Sequence, residues 1–451
     1  MTGEDRIESA CNRIQARRPE LSETVRIVAD VLTAGSEDVE AIHQAALQRF
    51  LWYYLPRDYP DSEWEELWEA TTLLLAELDL PYLTKIATAE LTQEILSAWA
   101  DDPSKGADAF QKAYSKSGIE PPDTETLQWG AILGADELRA FETVERALSD
   151  AIAAGQLVPG ARGWRIAAAA VTEKVLTLPL DAPPGQTLAN LVTTERVGTW
   201  IDLARHPTHQ RWRSNVANRL LHPIEPPTSP ETAIAPMMWL LELAAAPRGA
   251  ALTQSHYLAR TAVLDAVERF SWWPWEKPPR SEADIHQISL VRNAATRLRL
   301  LRRTGQRPLL TARGRELLDD PGRLWTAVAT ETATGDDFTR AITELIGLRL
   351  LQGEVEIATL VADVTPILIS QGWSSGGEPV TTNRVSSEVY SPLHWWRLFD
   401  ALVEVEATRE HGTYRELTPH TIVPNSNGER MILAYLRSRA AGPLRHFGAE
   451  Y

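Results

Sequence analysis

Apolar residues recur at helical spacing through the first hundred positions of the chain. Leu21, Val25, Val28 and Leu32 follow the three-to-four-residue repeat that places side chains on one face of a helix. Pro56 should end the helix before it, because proline disfavours helical dihedral angles in the preceding residue. Aromatic residues are frequent between positions 50 and 68, and we expect them to pack in the core, with an aromatic ligand cage as the alternative. The pattern predicts a helical bundle.

Helical periodicity continues into the middle of the chain. It predicts a helix over residues 135–154, one or two helices over 188–221, and a buried helix over 237–246. Residues 225–230 contain three prolines, which cannot continue a helix, so this stretch is the clearest predicted domain boundary.

Residues 285–315 contain eight arginines and no carboxylate. We predict a helix, a break at Thr304 and Gly305, a short strand over 308–310, and a Leu-Thr-x-x-Gly segment ending at Gly314. This order is typical of a winged helix-turn-helix. The eight arginines are Arg292, Arg297, Arg299, Arg302, Arg303, Arg307, Arg313 and Arg315.

Three of these arginines are expected to share one face of the predicted helix. At about 100° per residue, Arg292, Arg299 and Arg303 fall within about 40° of each other. Guanidinium groups in a row along a helix can reach successive phosphates of a duplex, and one can read guanine in the major groove. Arg313 and Arg315, beside the wing, would contact the flanking backbone. The alternative is a solvated arginine-rich helix, or one that holds acids of the N-terminal third.

Residues 203–224 form a second stretch without acids. We count Arg211 and Arg213 from this stretch as candidate nucleic-acid contacts. His206 and His209 have a spacing that a metal could use, but Pro207 lies between them and no third ligand is near in sequence. A solvated basic face is the favoured interpretation.

The C-terminal segment is predicted to repeat the winged arrangement. We expect a helix over residues 394–409, a turn at 410–412, and a last helix over 430–440. Leu309, Leu310 and Thr311 are expected to correspond to residues 416–418. The predicted fold is therefore mainly α, with tandem winged units that have short β wings. The predicted domains are an acidic helical domain (1–100), a helical middle domain with a basic end (101–225), a first winged unit (231–330), and a helical connector with a second winged unit (331–445).

Composition and charge restrict the classes of function. The formal net charge is −16, and residues 1–150 carry 30 acids and 13 bases, so the remainder is nearly neutral. The single cysteine, Cys11, excludes an internal disulfide and a multi-cysteine metal site. Neither a secretion signal nor a membrane-spanning stretch is visible, so we expect a cytoplasmic protein without a membrane partner.

One part of the chain resembles a known kind of sequence. Its pattern is Glu282-x-Asp284-Ile285, a helix, then Leu310-Thr311-x-x-Gly314-Arg315-x-Leu317-Leu318-x-Asp320-Pro321-x-x-Leu324-Trp325. This pattern is similar to a recurrent segment in plasmid-ORF-like or hypothetical winged-helix proteins of GC-rich bacteria. The resemblance covers about residues 245–330, or 245–440 at its widest. It implies a winged-helix fold and carries no established activity.

Two functions from different classes follow from these observations. The first is a DNA-binding protein, either a regulator or a plasmid- or defence-associated factor, with double-stranded DNA as partner. The second is a helical scaffold whose winged units bind a protein partner or a second copy of the chain. No catalytic or metal-ligand spacing and no phosphate-binding loop is apparent, so the sequence predicts no enzyme activity, no metal and no cofactor.

Overall fold

The protein divides into two compact units, residues 1–192 and 193–451. The computed structural model describes residues 3–36, 38–182, 184–246, 250–331, 336–405 and 421–444. The fold is mainly α with short antiparallel strand pairs, as the sequence predicts. Within the described residues, no helix combines the length and the apolar character that a membrane span needs.

Among the described residues of the first unit, the regular structure is helical apart from one isolated bridge between Pro179 and Thr187. Short 3₁₀ turns lie at Pro19–Leu21 and Val39–Ala41, and a π-helical turn at Phe50–Tyr54. The helices are α1 (Gly3–Arg17), α2 (Ser22–Thr33), α3 (Gln44–Arg49), α4 (Leu55–Asp58), α5 (Asp61–Glu77), α6 (Pro81–Ala87), α7 (Glu90–Asp101), α8 (Pro103–Ser117), α9 (Ala135–Ala153), α10 (Trp164–Thr177) and α11 (Leu188–Asp202). Helix α11 crosses the boundary between the units.

The apolar repeat of the N-terminal region forms the core of this unit. Leu21, Val25 and Val28 are buried on one face, as their spacing predicts. A separate cluster lies between α9, α10 and the start of α11. The helix predicted over 135–154 is confirmed as α9.

The expectation that a helix ends at Pro56 is wrong. The chain continues through the π-helical turn into α4, which reaches Asp58. Pro56 lies inside a continuous helical run, because Tyr54 and Leu55 before it have helical dihedral angles. The preceding π turn is the local adjustment that admits the proline.

The described part of the second unit combines helices with three small sheets. A 3₁₀ turn at Glu282–Asp284 precedes α16. The elements are α12 (Pro207–Leu220), α13 (Pro230–Ala233), α14 (Ala235–Ala245), α15 (Arg260–Phe270), α16 (His286–Arg297), β1 (Leu301–Thr304), β2 (Arg307–Leu310), α17 (Ala312–Leu318), α18 (Pro321–Ala329), α19 (Asp337–Leu350), β3 (Val355–Glu356), α20 (Ile357–Ser370), β4 (Ser374–Ser375), β5 (Glu378–Pro379), α21 (Thr382–Glu388), α22 (Tyr390–Leu398), β6 (Leu402–Val405), β7 (Thr421–Pro424) and α23 (Ser426–Ala440).

One continuous apolar core joins these elements. It includes Trp325, Trp395 and Trp396, which are fully buried. The helix predicted over 237–246 is found as α14, and α11 and α12 account for 188–221. Residues 225–230, predicted as a domain boundary, connect α12 and α13 inside this unit, and the boundary between the two units lies earlier in the chain, after residue 192.

Two segments of this unit share one backbone framework. We call α16, β1, β2 and α17 the first repeat, and α22, β6, β7 and α23 the second repeat. In both, the residue two positions before the first strand has a left-handed φ: Arg299 (57°) and Asp400 (50°). Strands β1 and β2 pair antiparallel, as do β6 and β7, and β7 also pairs with β3.

The return from strand to helix is also the same in both repeats. Thr311 N donates to Leu300 O at 3.0 Å, and Asn425 N donates to Ala401 O at 3.1 Å. Each capping side chain then accepts a hydrogen bond from the glycine three residues later, at 2.9 Å in both cases. The second unit therefore contains two copies of this backbone framework in tandem.

The residue correspondence and the first helix of the second repeat differ from the predictions. In the structure Thr311 corresponds to Asn425, whereas the sequence pattern predicts that it corresponds to residue 418. Residues 406–420, which include 416–418, lie outside the described residues. The helix expected over 394–409 ends at Leu398, and the chain turns into β6.

Candidate nucleic-acid interface

The arginine-rich hairpin of the first repeat is held firmly at its base. Thr311 caps α17 and its hydroxyl donates to Arg299 O at 2.6 Å. Gly314 lies against the chain at Leu300, where a Cβ atom would come within 2.2 Å of the carbonyl oxygen. Only glycine permits this approach without a shift of the backbone. The Leu-Thr-x-x-Gly motif is thus a clamp between the start of β1 and α17.

The tip of the hairpin is anchored as well. Gly305 provides the left-handed turn residue, with φ of 59°. Gln306 accepts a hydrogen bond through its carbonyl from Leu252 N at 2.9 Å. The hairpin is therefore fixed to the unit at both ends, and its exposed side chains project from a defined backbone.

Six arginines of this region are exposed to solvent. Within the part of the chain that the structure describes, none of them forms an ion pair with a carboxylate. Their uncompensated charge is the feature that makes this surface a candidate for an anionic partner. They are Arg299, Arg302, Arg303, Arg307, Arg313 and Arg315.

The strand register places these charges on both faces of the hairpin. Arg302 lies opposite Leu309, and Arg307 lies opposite Thr304. Arg302 and Arg307 are therefore diagonal neighbours on one face, about 7–8 Å apart at their Cα atoms. Arg303 belongs to the other face, with Pro308. A partner that follows the hairpin meets guanidinium groups along its length.

The predicted helical row of arginines does not exist. Helix α16 ends at Arg297, Arg299 has a left-handed backbone, and Arg303 lies in β1. Arg292 is the only one of the three on the helix, and it is half-buried. Its guanidinium donates to Glu282 at 2.8 Å and to His256 O at 2.9 Å. Arg292 anchors the repeat internally.

Arg213 is a second correction. Its side chain is fully buried, stacks over the Trp200 ring at 4.5 Å, and donates to Glu344 at 2.6 Å. A guanidinium held this way cannot contact a nucleic acid. Arg211, two positions earlier on α12, is exposed, because a helix turns about 200° in two residues.

His206 and His209 both have structural contacts in this region, one as a helix cap and one in the buried network around Glu344. His209 Nε2 lies 3.0 Å from Glu344 Oε1, and the His206 ring accepts from Thr208 N as the cap of α12. Burial lowers the pKa of His209 against the opposing effect of Glu344. No group of three metal-ligating side chains is found among the described residues.

Glu344 and Glu282 have pKa shifts of opposite sign. Burial alone would raise the pKa of Glu344, but Arg213, His209 and Arg439 hold it well below its ordinary range. Burial raises the pKa of Glu282, and Leu258 N and Arg292 only partly offset this. The negative charge of Glu344 is therefore stabilised by the cations around it. The hydrogen bond from Leu258 N and the charge of Arg292 do not fully offset the cost of burying a charged Glu282.

Sequence reasoning missed two residues of this surface. Arg302 and Arg307 are not among the contacts that the sequence predicts, because the predicted helix runs past Arg297 and the predicted strand contains only apolar residues. The sequence feature that indicates a hairpin here is the short turn at Gly305 between two segments of similar length.

A family model described as the Y4jL N-terminal domain matches residues 233–323. The match spans α14 to α17, so this similarity and the exposed arginines coincide in the chain. Comparison with curated proteins and with solved structures found no match.

Proposed function

We propose that this protein is a cytoplasmic winged-helix protein that binds double-stranded DNA, as a regulator or a plasmid- or defence-associated factor. The observation that carries the proposal is the set of six exposed arginines from 299 to 315, without carboxylate partners in the described residues. Neutralisation of phosphates by such a set releases counterions, which supplies most of the free energy of non-specific binding.

The overall charge of the chain does not oppose this proposal. The first unit carries 32 acids and 16 bases, whereas the second carries 29 of each. The acidic character belongs to the first unit. Within the neutral second unit, the charge is separated locally, and the hairpin region is basic.

The test is the salt dependence of duplex binding by the full chain. Binding of a fluorescent 30-base-pair duplex is measured by anisotropy between 50 and 300 mM KCl. The triple variant Arg302→Gln, Arg303→Gln and Arg307→Gln should lower the slope of log K against log salt by about 3, and weaken binding at low salt by on the order of 100-fold.

A matched control removes the same number of charges elsewhere in the second unit. Arg219, Arg340 and Arg384 are exposed but paired with Glu429, Asp337 and Glu388. Their triple replacement by Gln should leave the slope within about 1 of wild type. Equal losses in both variants, or no binding by wild type at 50 mM KCl, would refute the proposal.

The second candidate is a scaffold that binds a protein partner. The observation that favours it is Trp275, which is 68 % exposed in the segment after α15. Exposed tryptophans are enriched at protein interfaces. Replacement of Trp275 by Ala should abolish partner capture or self-association in solution without a change in duplex binding, which distinguishes the two candidates.

A further inference from the structure

The first unit contains an open cleft that the proposed function does not use. It lies between α3, α6, α7 and α8 and has a volume of about 620 Å³. Small-molecule sites in proteins have volumes of about 300–1,000 Å³, mostly apolar walls and a few polar groups. The cleft has the size and the composition of such a site.

The walls of the cleft are apolar and fixed in place. Trp52 forms part of the wall, and its Nε1 donates to Thr92 Oγ1 at 2.9 Å. Trp99 Nε1 donates to Trp52 O at 3.0 Å, and Gly106 lies so close to the Trp99 ring that a Cβ atom would come within 2.2 Å. This contact locks α7 against α8. The cleft is therefore formed before any ligand arrives.

The oxygen of a buried side-chain amide in the cleft lacks a hydrogen-bond partner. Gln48 is 3 % exposed, and its Oε1 has no hydrogen-bond partner among the described residues. The neighbouring Gln44, 4 % exposed, differs because its Oε1 accepts from the Tyr82 hydroxyl at 2.7 Å. A buried polar atom without a partner destabilises the fold, so Gln48 needs an explanation beyond packing.

The charges at the mouth of the cleft balance. Glu94 and Asp108 are exposed there, and so are Lys112 and Lys116. Two acids and two bases give no net attraction for an anion or a cation. The net charge of the mouth is therefore zero, which is compatible with a ligand of no net charge.

We propose that this cleft binds a small neutral organic molecule with a flat apolar body and a primary amide. The amide N–H of the ligand donates to Gln48 Oε1, and its carbonyl accepts from the Gln48 side-chain N–H₂. This pair gives the buried Gln48 Oε1 the partner that it lacks, while the apolar body lies against Trp52 and Ile95. The inference is independent of nucleic-acid binding, because every residue in it belongs to the first unit.

The experiment compares three probes of the same shape on the full chain. They are 2-naphthamide, the anion 2-naphthoate and apolar 2-ethylnaphthalene, with binding followed by isothermal titration calorimetry. Wild type should bind the amide at least 10-fold more tightly than either of the others. Gln48→Met, which keeps the length of the side chain, should lose this preference and still bind the apolar probe.

Two controls keep the result interpretable. Gln93→Met changes an exposed glutamine on α7 and should bind all three probes like wild type. Thermal melting should show that Gln48→Met is at least as stable as wild type, because an unsatisfied amide has been removed. Failure of wild type to bind 2-naphthamide, or equal affinity for it in Gln48→Met, would overturn the proposal.

Discussion

The two repeats of the second unit have the same backbone framework and opposite surface chemistry. At equivalent positions the first hairpin has Arg302, Arg303 and Arg307, whereas the second has Val403, Glu404 and Thr421. Glu404 pairs with Arg397 of its own repeat. The arginines are therefore not required to form the framework, and a requirement of folding does not account for their presence in the first repeat.

The largest effect on stability is expected from alanine at the equivalent glycines of the two repeats, and it tests whether the two backbone frameworks are equivalent. A Cβ atom on Gly314 would lie 2.2 Å from Leu300 O, and one on Gly428 would lie 1.8 Å from Ala401 O. Since these contacts are with backbone, Gly314→Ala and Gly428→Ala should each lower the free energy of unfolding by about 3 kcal/mol or more. Urea denaturation measures this.

A helical glycine with free space is the control for both substitutions. Gly198 of α11 has nothing within 4 Å of an added Cβ atom. Gly198→Ala should raise stability by roughly 0.5–1 kcal/mol, because alanine favours the helix. A tolerated alanine at only one of Gly314 and Gly428 would break the equivalence.

The second prediction compares the buried carboxylates that anchor the repeats. Glu344 is tied to the second repeat through Arg439, and Glu282 to the first through Arg292. At pH 7, Glu344→Gln should cost on the order of 3 kcal/mol, because it leaves buried cations without their anion. Glu282→Gln should cost less, since burial already disfavours the charged form of Glu282.

The two variants should also respond oppositely to pH. The pKa of Glu344 is lowered in the folded state, so its contribution is present above its unfolded pKa and is lost as pH falls. The pKa of Glu282 is raised, so its contribution is present at low pH and is lost as pH rises. Urea titrations from pH 7 to 3 should show the deficit of Glu344→Gln shrinking once the pH falls below about 4.3, the pKa of an unfolded glutamate. Glu282→Gln should instead fall further below wild type as pH decreases. The same slope for both would contradict the opposed shifts.

The smallest effect is expected when arginines of the first repeat are introduced at the equivalent positions of the second repeat. Val403→Arg with Thr421→Arg places guanidinium groups at the positions equivalent to Arg302 and Arg307. If charge on this framework is sufficient for binding, the salt slope for duplex binding should steepen by about 1–2. An unchanged slope would show that binding needs the flanking arginines of the first repeat, among them Arg299 and Arg313.

The helical content of the chain could be predicted from sequence because it depends on local spacing. The repeat Leu21, Val25, Val28 marks a buried face whatever the helix packs against. The Leu-Thr-x-x-Gly motif likewise indicated a strand-to-helix return. The ends of helices were harder to predict. Nothing in the residue types around Leu298 requires α16 to end there. The left-handed residue Arg299 directly precedes Leu300, whose carbonyl accepts a hydrogen bond from the distant Thr311 N.

The sequence by itself determined that this protein is mainly α and that positive charge without acids is concentrated in residues 285–315. Only the tertiary structure decided which arginines of this stretch and of residues 203–224 face solvent. Arg292 and Arg213 are of the same residue type as the exposed arginines near them in sequence. However, Arg292 forms an ion pair with Glu282 and Arg213 forms one with Glu344, and each carboxylate lies in a different element from its arginine. Whether a carboxylate meets a guanidinium depends on packing between elements, and local sequence does not encode that distance.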